Sequence, residues 1–372
     1  MAKKTVIQTG SAMLDKLNQL KQKFSCEDKT EFFHSGSIVF DSVISKGKGI
    51  PKGYMIEVAS TFGVGKTTLF LSIAKFLCSQ GKRIIYIDTE QGLNDDMMEA
   101  FDLNEYTKTN NFYRMQCTTF TETEEILDTV LVKDTDIDLI MIDSVTNLIP
   151  EKLLESKTEE FNQPAYQARP LDLFLKKYRS KTRNAGVTMM FVNQFRNKIN
   201  FLGSSQSAAG GMSLKHNMDI RIEMKKHEKG GDIRRKSSVN PKGDIIGSIC
   251  KIYATKNRFT KPYTERKIFI LFGKGVSNSE TIIDWMVDNK YMNQGQAGRY
   301  KLTLPIYDDE ISFKSQKERH EWVKEHYDEL DEFIKKNGGY FEDEVVENND
   351  GSSETEEEYE LDTEDDSEET VE

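Results

Sequence analysis

The chain has 372 residues, about two to three times the usual domain length of roughly 100 to 150, which excludes a disulfide-knotted miniprotein and leaves room for one large core plus an accessory domain. With 37% hydrophobic and 30% charged residues, no run of about 20 apolar residues to cross a bilayer and no apolar signal core at its start, it is expected in the cytoplasm. The net charge of −11 is uneven: residues 342–372 hold 17 Asp and Glu and no Lys or Arg, and the rest has 51 basic against 45 acidic residues, a net of +6.

Along the chain, Ser11 to Phe24 place Met13, Leu14, Leu17, Leu20 and Phe24 at three- and four-residue spacing, one apolar stripe on a helix. That helix packs either on the chain's own core or on a neighbouring subunit. Short apolar, branched runs follow at Tyr54–Val58, Arg83–Asp88, Asp138–Asp143 and Thr188–Asn193. With helical stretches such as Thr67–Ser79 and Leu171–Thr182 between them, they predict a mostly parallel α/β sheet. Ile220–Met224, Ser248–Thr255 and Lys267–Phe272 are close in sequence and read as antiparallel additions, with a solvated hairpin over Met224–Lys236. Near Tyr300 the pattern turns helix-rich, with Gln316–Lys336 strongly charged, and a small C-terminal domain is expected over 300–341. From Glu342 the dense acidic run cannot bury enough apolar surface to fold, so 342–372 reads as a disordered tail. Cys26, Cys78, Cys117 and Cys250 lie far apart with no Cys-x-x-Cys pair, which supports neither a zinc site nor a disulfide framework. No internal repeat is visible, which argues against a duplicated ATPase.

The chemistry is concentrated in Ser60–Thr68, STFGVGKTT, between an apolar strand and a helix. That is the context of a phosphate-binding loop. In it the backbone amides of Ser60, Thr61, Phe62, Gly63, Val64, Gly65 and Thr68 surround the phosphates of ATP, Lys66 reaches the β- and γ-phosphates, and the Thr67 hydroxyl ligates Mg²⁺. Ser60 replaces the first glycine of the usual pattern. Two strand-end carboxylates support the site. Asp143 ends DLIMI, where such a residue serves the metal. Glu90 follows IIYID, where a carboxylate can orient the attacking water.

The segments IIYIDTEQGLN, DLIMIDSVTNLIP and TMMFVNQFRNKINFLGSSQSAAGGMSLKH, then IYATKNRFTKP and FILFGKGVSNSETIIDWMV, resemble in order the RecA family of DNA recombinases over roughly residues 34–300. Ser60 and other departures suit a divergent member, bacterial RecA-like or phage-encoded and UvsX-like. The resemblance implies a RecA-type ATPase core over 34–299 and an oligomerisation helix within 1–33. It makes Glu90 the catalytic glutamate and Gln194 the glutamine that senses the γ-phosphate and signals to the adjoining DNA loop. Lys256 and Arg258 match two basic residues that reach the ATP of the neighbouring subunit; the family has lysine at both positions. Phe272 corresponds to an aromatic near the adenine, and Asn94 and Met97 to other base contacts, although Met97 lacks the family's ring.

Residues 196–213, RNKINFLGSSQSAAGGMS, are too rich in Gly, Ser and Ala to pack as a regular element. They resemble the family's second DNA loop, with Gly210 and Gly211 admitting phosphates, Ile199 wedging between bases, and Arg196 and Lys198 adding charge. The first DNA loop falls within Lys157–Tyr166, ahead of Arg169, which matches a family arginine, though KTEEFNQPAY is acidic for such a contact. Lys215–Lys261 carries 13 basic against 5 acidic residues, an excess that suits either phosphate contact or a solvated hairpin. The family implies a helical homo-oligomeric filament on single-stranded DNA that tests duplex DNA for homology, with single-strand-binding and loading proteins as partners and the acidic tail as a DNA mimic. A hexameric helicase motor and a recombination mediator with a degenerate ATP site are the alternatives.

Overall fold

The structure is a computed structural model that describes residues 13–16, 18, 30–154, 164–200, 203–208, 211–227, 231–235, 240, 242–294, 299–337, 339 and 340. The acidic tail, Cys26, most of the N-terminal helix and residues 155–163 lie outside them; residues 13–16 and 18 are helical and exposed. The strands of the central sheet are β1 (Met55–Ser60), β2 (Ile84–Asp88), β3 (Phe112–Gln116), β4 (Leu139–Asp143), β5 (Thr188–Asn200), β6 (Gly203–Ala208), β7 (Ile220–Lys226), β8 (Asp232–Arg235), β9 (Asp244–Lys256), β10 (Arg266–Leu271) and β11 (Gly275–Val276). Their order is β11-β10-β9-β7-β1-β5-β4-β2-β3, with β6 paired to β5 and β8 to β9. The pairs from β7 through β1, β5, β4 and β2 to β3 are parallel. The chain is therefore α/β, and β7, expected among the antiparallel strands, belongs to the parallel set because it pairs in parallel with β1.

Alternation along the strands feeds two apolar layers. Ile56, Val58, Tyr86, Met141 and Val192 face one layer with Leu69, Ile73 and Leu77 of helix α1 (Lys66–Ser79). Met55, Ile85, Ile87, Ile142 and Phe191 face the other, with Leu127 of α2 (Phe120–Val130) and Leu171 and Leu175 of α3 (Pro164–Ala185). Strand β3 was missed because its sequence, FYRMQ, buries only Phe112 fully at the sheet edge. A third cluster joins Ile282, Trp285 and Met286 of α4 (Asn278–Asp288) to Leu302, Phe313, Val323, Leu330 and Phe333. Among the described residues no helix is long and apolar enough to cross a membrane.

Two segments differ from expectation. Residues 196–200 and 203–208 are regular backbone: Phe195 pairs with Ala208 and Asn200 with Gly203, an antiparallel strand pair. Backbone ladder hydrogen bonds between the two strands make the element regular, and composition does not report such pairing. Among the described residues of Met224–Lys236, β7 and β8 likewise do not pair with each other as a hairpin would. β7 and β8 run in turn along the same edge of β9, with Cys250 opposite Lys226 and Ser248 opposite Asp232.

Local capping helps fix the layers. Thr119 Oγ1 accepts from Glu122 N at 3.1 Å, and the Glu122 carboxylate accepts from Thr119 N at 3.0 Å, a reciprocal cap on α2. Thr119→Ala should cost about 1 kcal/mol, read as a lower urea midpoint with ATP turnover unchanged.

Candidate active site

β1 ends at Ser60, and the turn to α1 requires left-handed backbone at Gly63 (φ 75°) and Gly65 (φ 103°). A Cβ on Gly65 would lie 2.9 Å from Ile270 Cδ1 of β10, so a side chain there would be both strained and crowded. From the other side, Cys250 Sγ donates to Val64 O at 3.3 Å. The loop thus opens a 14-residue helix whose first amides face the site. Lys66 Nζ donates to Ser60 Oγ at 2.9 Å, Thr61 O at 3.1 Å and Ser60 O at 3.3 Å. The serine in place of glycine therefore supplies a hydroxyl partner for the lysine. Burial lowers the Lys66 pKa from the ordinary lysine range, opposed by Asp143 and Glu90. Phe62 is exposed.

The carboxyl ends of the parallel strands meet here, as in open α/β sheets generally. Ser60 lies in register with Gln194, and Asp88 with Asp143. Thr67 Oγ1 and Tyr86 OH each donate to Asp143 Oδ2 at 2.7 Å. Burial raises the Asp143 pKa, while these two hydrogen bonds pull it back. A hydroxyl and a buried carboxylate are hard oxygen ligands of the kind Mg²⁺ takes, so the residues fit that ion. Asp143→Asn removes a desolvated charge but keeps an acceptor for both hydroxyls. We expect a thermal midpoint unchanged or raised, with Mg²⁺-dependent hydrolysis lost; a clearly lower midpoint would contradict the burial argument.

Glu90 follows β2 on a turn fixed by Asp88, whose carboxylate accepts from Gly92 N at 3.2 Å and Leu93 N at 3.1 Å. Two donors converge on Glu90 Oε1: Ser144 Oγ at 3.0 Å and Gln194 Nε2 at 2.7 Å. Glu90 is thus linked to β5, which continues directly into the hairpin at 196–208. Sequence reasoning missed Tyr86 and Ser144, although a tyrosine two residues before a strand-end aspartate and the serine following Asp143 were both visible.

The model of the RecA N-terminal domain family matches residues 8–277. The chain belongs to the RecA family. Protein RecA of Limosilactobacillus reuteri (strain DSM 20016) is 27% identical over 303 residues, covering 81% of this chain and 78% of that protein. Protein RecA of Azoarcus sp. (strain BH72) is 30% identical over 264 residues, 71% and 72% of the two chains, and that of Nocardia farcinica (strain IFM 10152) 29% over 261, 70% and 71%.

Other site residues expected from the RecA resemblance are more dispersed. Asn94 Oδ1 accepts from Met97 N at 2.9 Å, capping the short helix Asp95–Ala100, and Met97 packs partly buried on the core. Phe272 is exposed, one residue past β10. Among the described residues no hydrogen bond joins these three to Ser60–Thr68. Arg196, Lys198 and Ile199 lie on the hairpin backbone, Gly211 begins the helix Gly211–Asn217, and Gly210 is outside the described residues. Arg169 is exposed on α3. Of the proposed first DNA loop only the backbone of 164–166, at the start of α3, is described.

Lys256 and Arg258 sit away from the phosphate loop. Lys256 is in register with Arg221, itself beside Glu57, whereas the loop leaves from Ser60, beside Met224. Lys256 Nζ donates at 3.1 Å to Lys215 O and to His216 O, at the carboxyl end of the helix Gly211–Asn217.

Proposed function

We propose that this RecA-family chain is an ATP-dependent recombination and repair protein of the cytoplasm. It forms helical filaments on single-stranded DNA and catalyses homologous pairing and strand exchange, with hydrolysis that depends on DNA. The observation that carries this reading is the 2.7 Å hydrogen bond from Gln194 to Glu90. It joins the carboxylate best placed to orient water for attack on the γ-phosphate to the strand leading into the DNA hairpin. A shift of that hairpin moves Gln194, and Gln194 moves Glu90.

In this scheme the amides of Ser60–Thr68 and Lys66 hold the ATP phosphates, and Asn94, Met97 and Phe272 flank the base. Thr67 and Asp143 would hold Mg²⁺, which supplies charge neutralisation at the phosphates. Lys256 and Arg258 serve the neighbour's nucleotide, since their own phosphate loop is at the other end of the sheet; hydrolysis then requires assembly. Lys256 rests on the helix that follows the DNA hairpin, so DNA engagement also bears on the neighbour's site. Arg169, Arg196, Lys198, Ile199, Gly210 and Gly211 contact DNA through its backbone and between its bases, largely without regard to sequence. Residues 1–33 act in oligomerisation, 300–341 form a small accessory domain, and the tail competes with duplex DNA. Single-strand-binding and loading proteins are the expected partners.

Replacing the sensor tests the coupling. Gln194→Ala should leave ATP binding intact and remove most of the stimulation of hydrolysis by single-stranded DNA. Full stimulation in that variant would break the proposed link.

A further inference from the structure

The trans-acting pair is built around a residue that no motif marks. Asp219 is buried, 1% exposed, between the helix Gly211–Asn217 and β7. It is fixed to the start of β1 twice: its backbone N–H donates to Met55 O at 2.9 Å, and its Oδ2 accepts from Met55 N at 3.2 Å. Three arginines surround its carboxylate. Arg179 Nη2 donates to Oδ1 at 2.7 Å, Arg258 Nε approaches the same oxygen at 3.0 Å, and Arg183 Nη2 lies 3.8 Å from Oδ2. Arg183 is further held over the Tyr54 ring, at 3.5 Å. Lys256 lies within electrostatic reach of Asp219 and of Arg179 and Arg258, so positive charge is in surplus at the amino end of β1, the end opposite the chain's own phosphate loop. From Met55 to Ser60 that separation is about 16 Å at the usual strand rise.

How Arg258 is held decides what it can do. Its contact with Asp219 is through Nε, the inner nitrogen, and its side chain is 51% exposed. Among the described residues no ion pair or hydrogen bond engages its terminal Nη1 and Nη2 groups. A guanidinium held by an ion pair at Nε leaves its two terminal nitrogens available, with less rotameric freedom to lose on binding a phosphate. We propose that Asp219 is the positioning residue that presents Arg258, preorganised, to the phosphates of ATP bound by the adjacent subunit. Arg179 and Arg183 keep the Asp219 carboxylate neutralised while Arg258 turns its outer nitrogens to the neighbour. The inference rests on the trans role of Arg258 proposed above and adds how that role is achieved. It also gives the arginine a reason: lysine, which the family has at this position, would spend its single nitrogen on Asp219.

The test is ATP hydrolysis by the full chain on saturating single-stranded DNA. Arg258→Ala should be inactive, and Asp219→Asn should lose about tenfold or more in kcat, as misplacing a catalytic group does. A positioning defect acts on the neighbour, so it can be complemented. Asp219→Asn subunits have an intact phosphate site, and Glu90→Gln subunits have an intact Arg258. Mixed filaments of the two should hydrolyse several-fold faster than either alone.

Wild-type kcat in Asp219→Asn, with Arg258→Ala inactive, would overturn the positioning role and leave the trans role standing. A slow Asp219→Asn that mixing does not rescue would overturn it too, reducing Asp219 to a structural residue. Normal hydrolysis by Arg258→Ala would remove the trans role and this inference with it. Should Asp219→Asn fail to fold, the exposed substitution Arg258→Lys replaces it in the same mixing experiment, with slow turnover and rescue expected. Wild-type turnover by Arg258→Lys would contradict anchoring through Nε.

Discussion

Glu90→Gln should reduce DNA-dependent ATP hydrolysis by roughly two to four orders of magnitude, the usual contribution of a positioned general base, while ATP and single-stranded DNA still bind. The substitution is nearly isosteric, and the amide oxygen can still accept from Ser144 Oγ and Gln194 Nε2, which now meet at Glu90 Oε1. What is lost is the negative charge that polarises water. Lys66 also loses one of its two nearby anions, Asp143 remaining, so nucleotide affinity should change little. Filaments of the variant should therefore persist with ATP, since the step that releases DNA is blocked. Binding of a fluorescent ATP analogue, run beside a phosphate-release assay, separates the two effects. Unimpaired hydrolysis would remove the catalytic assignment.

The second large effect is on stability. Glu57 is fully buried in β1, ion-paired with Arg221 of β7 and accepting from Asn193 Nδ2 at 2.6 Å. Asn193 Oδ1 in turn accepts from the backbone N–H of Gln194 at 2.7 Å. Glu57→Ala leaves the guanidinium of Arg221, only 11% exposed, without its carboxylate. Breaking a buried pair in this way costs about 3–5 kcal/mol. The denaturation midpoint should fall accordingly, and the sensing strand should loosen with it, because the residue that orients Gln194 loses its own anchor. Replacing Glu57 and Arg221 together by methionine should recover much of the loss, since two desolvated charges are removed at once. A drop below about 1 kcal/mol in the single variant would show that Arg221 finds another partner.

The phosphate loop and its two strand-end carboxylates were legible because each has a local signature: the Gly-x-Gly-Lys-Thr turn between strand and helix, and acidic residues closing apolar runs. The parallel order was legible for the same reason, as β1, β2, β4 and the start of β5 are nearly continuous apolar runs, buried on both faces. Asp219 was not, because nothing in Asn-Met-Asp-Ile shows that three arginines from two distant segments converge on it. The role of Ser60 needed the fold as well. In sequence it is a departure from a motif; in three dimensions its hydroxyl is 2.9 Å from Lys66 Nζ. The paired strands at 196–200 and 203–208 were misjudged because composition reports whether side chains can build a core, whereas this element shows backbone pairing.

The most direct test of the proposed function is the rate of ATP hydrolysis with and without single-stranded DNA, measured for the full chain and for a version ending at Phe341. Strong stimulation by DNA in both, with faster onset on duplex DNA once the tail is removed, is the predicted result. A rate that stays flat in both although ATP binds would contradict coupling between the DNA hairpin and Glu90, and would favour a mediator without DNA-dependent turnover.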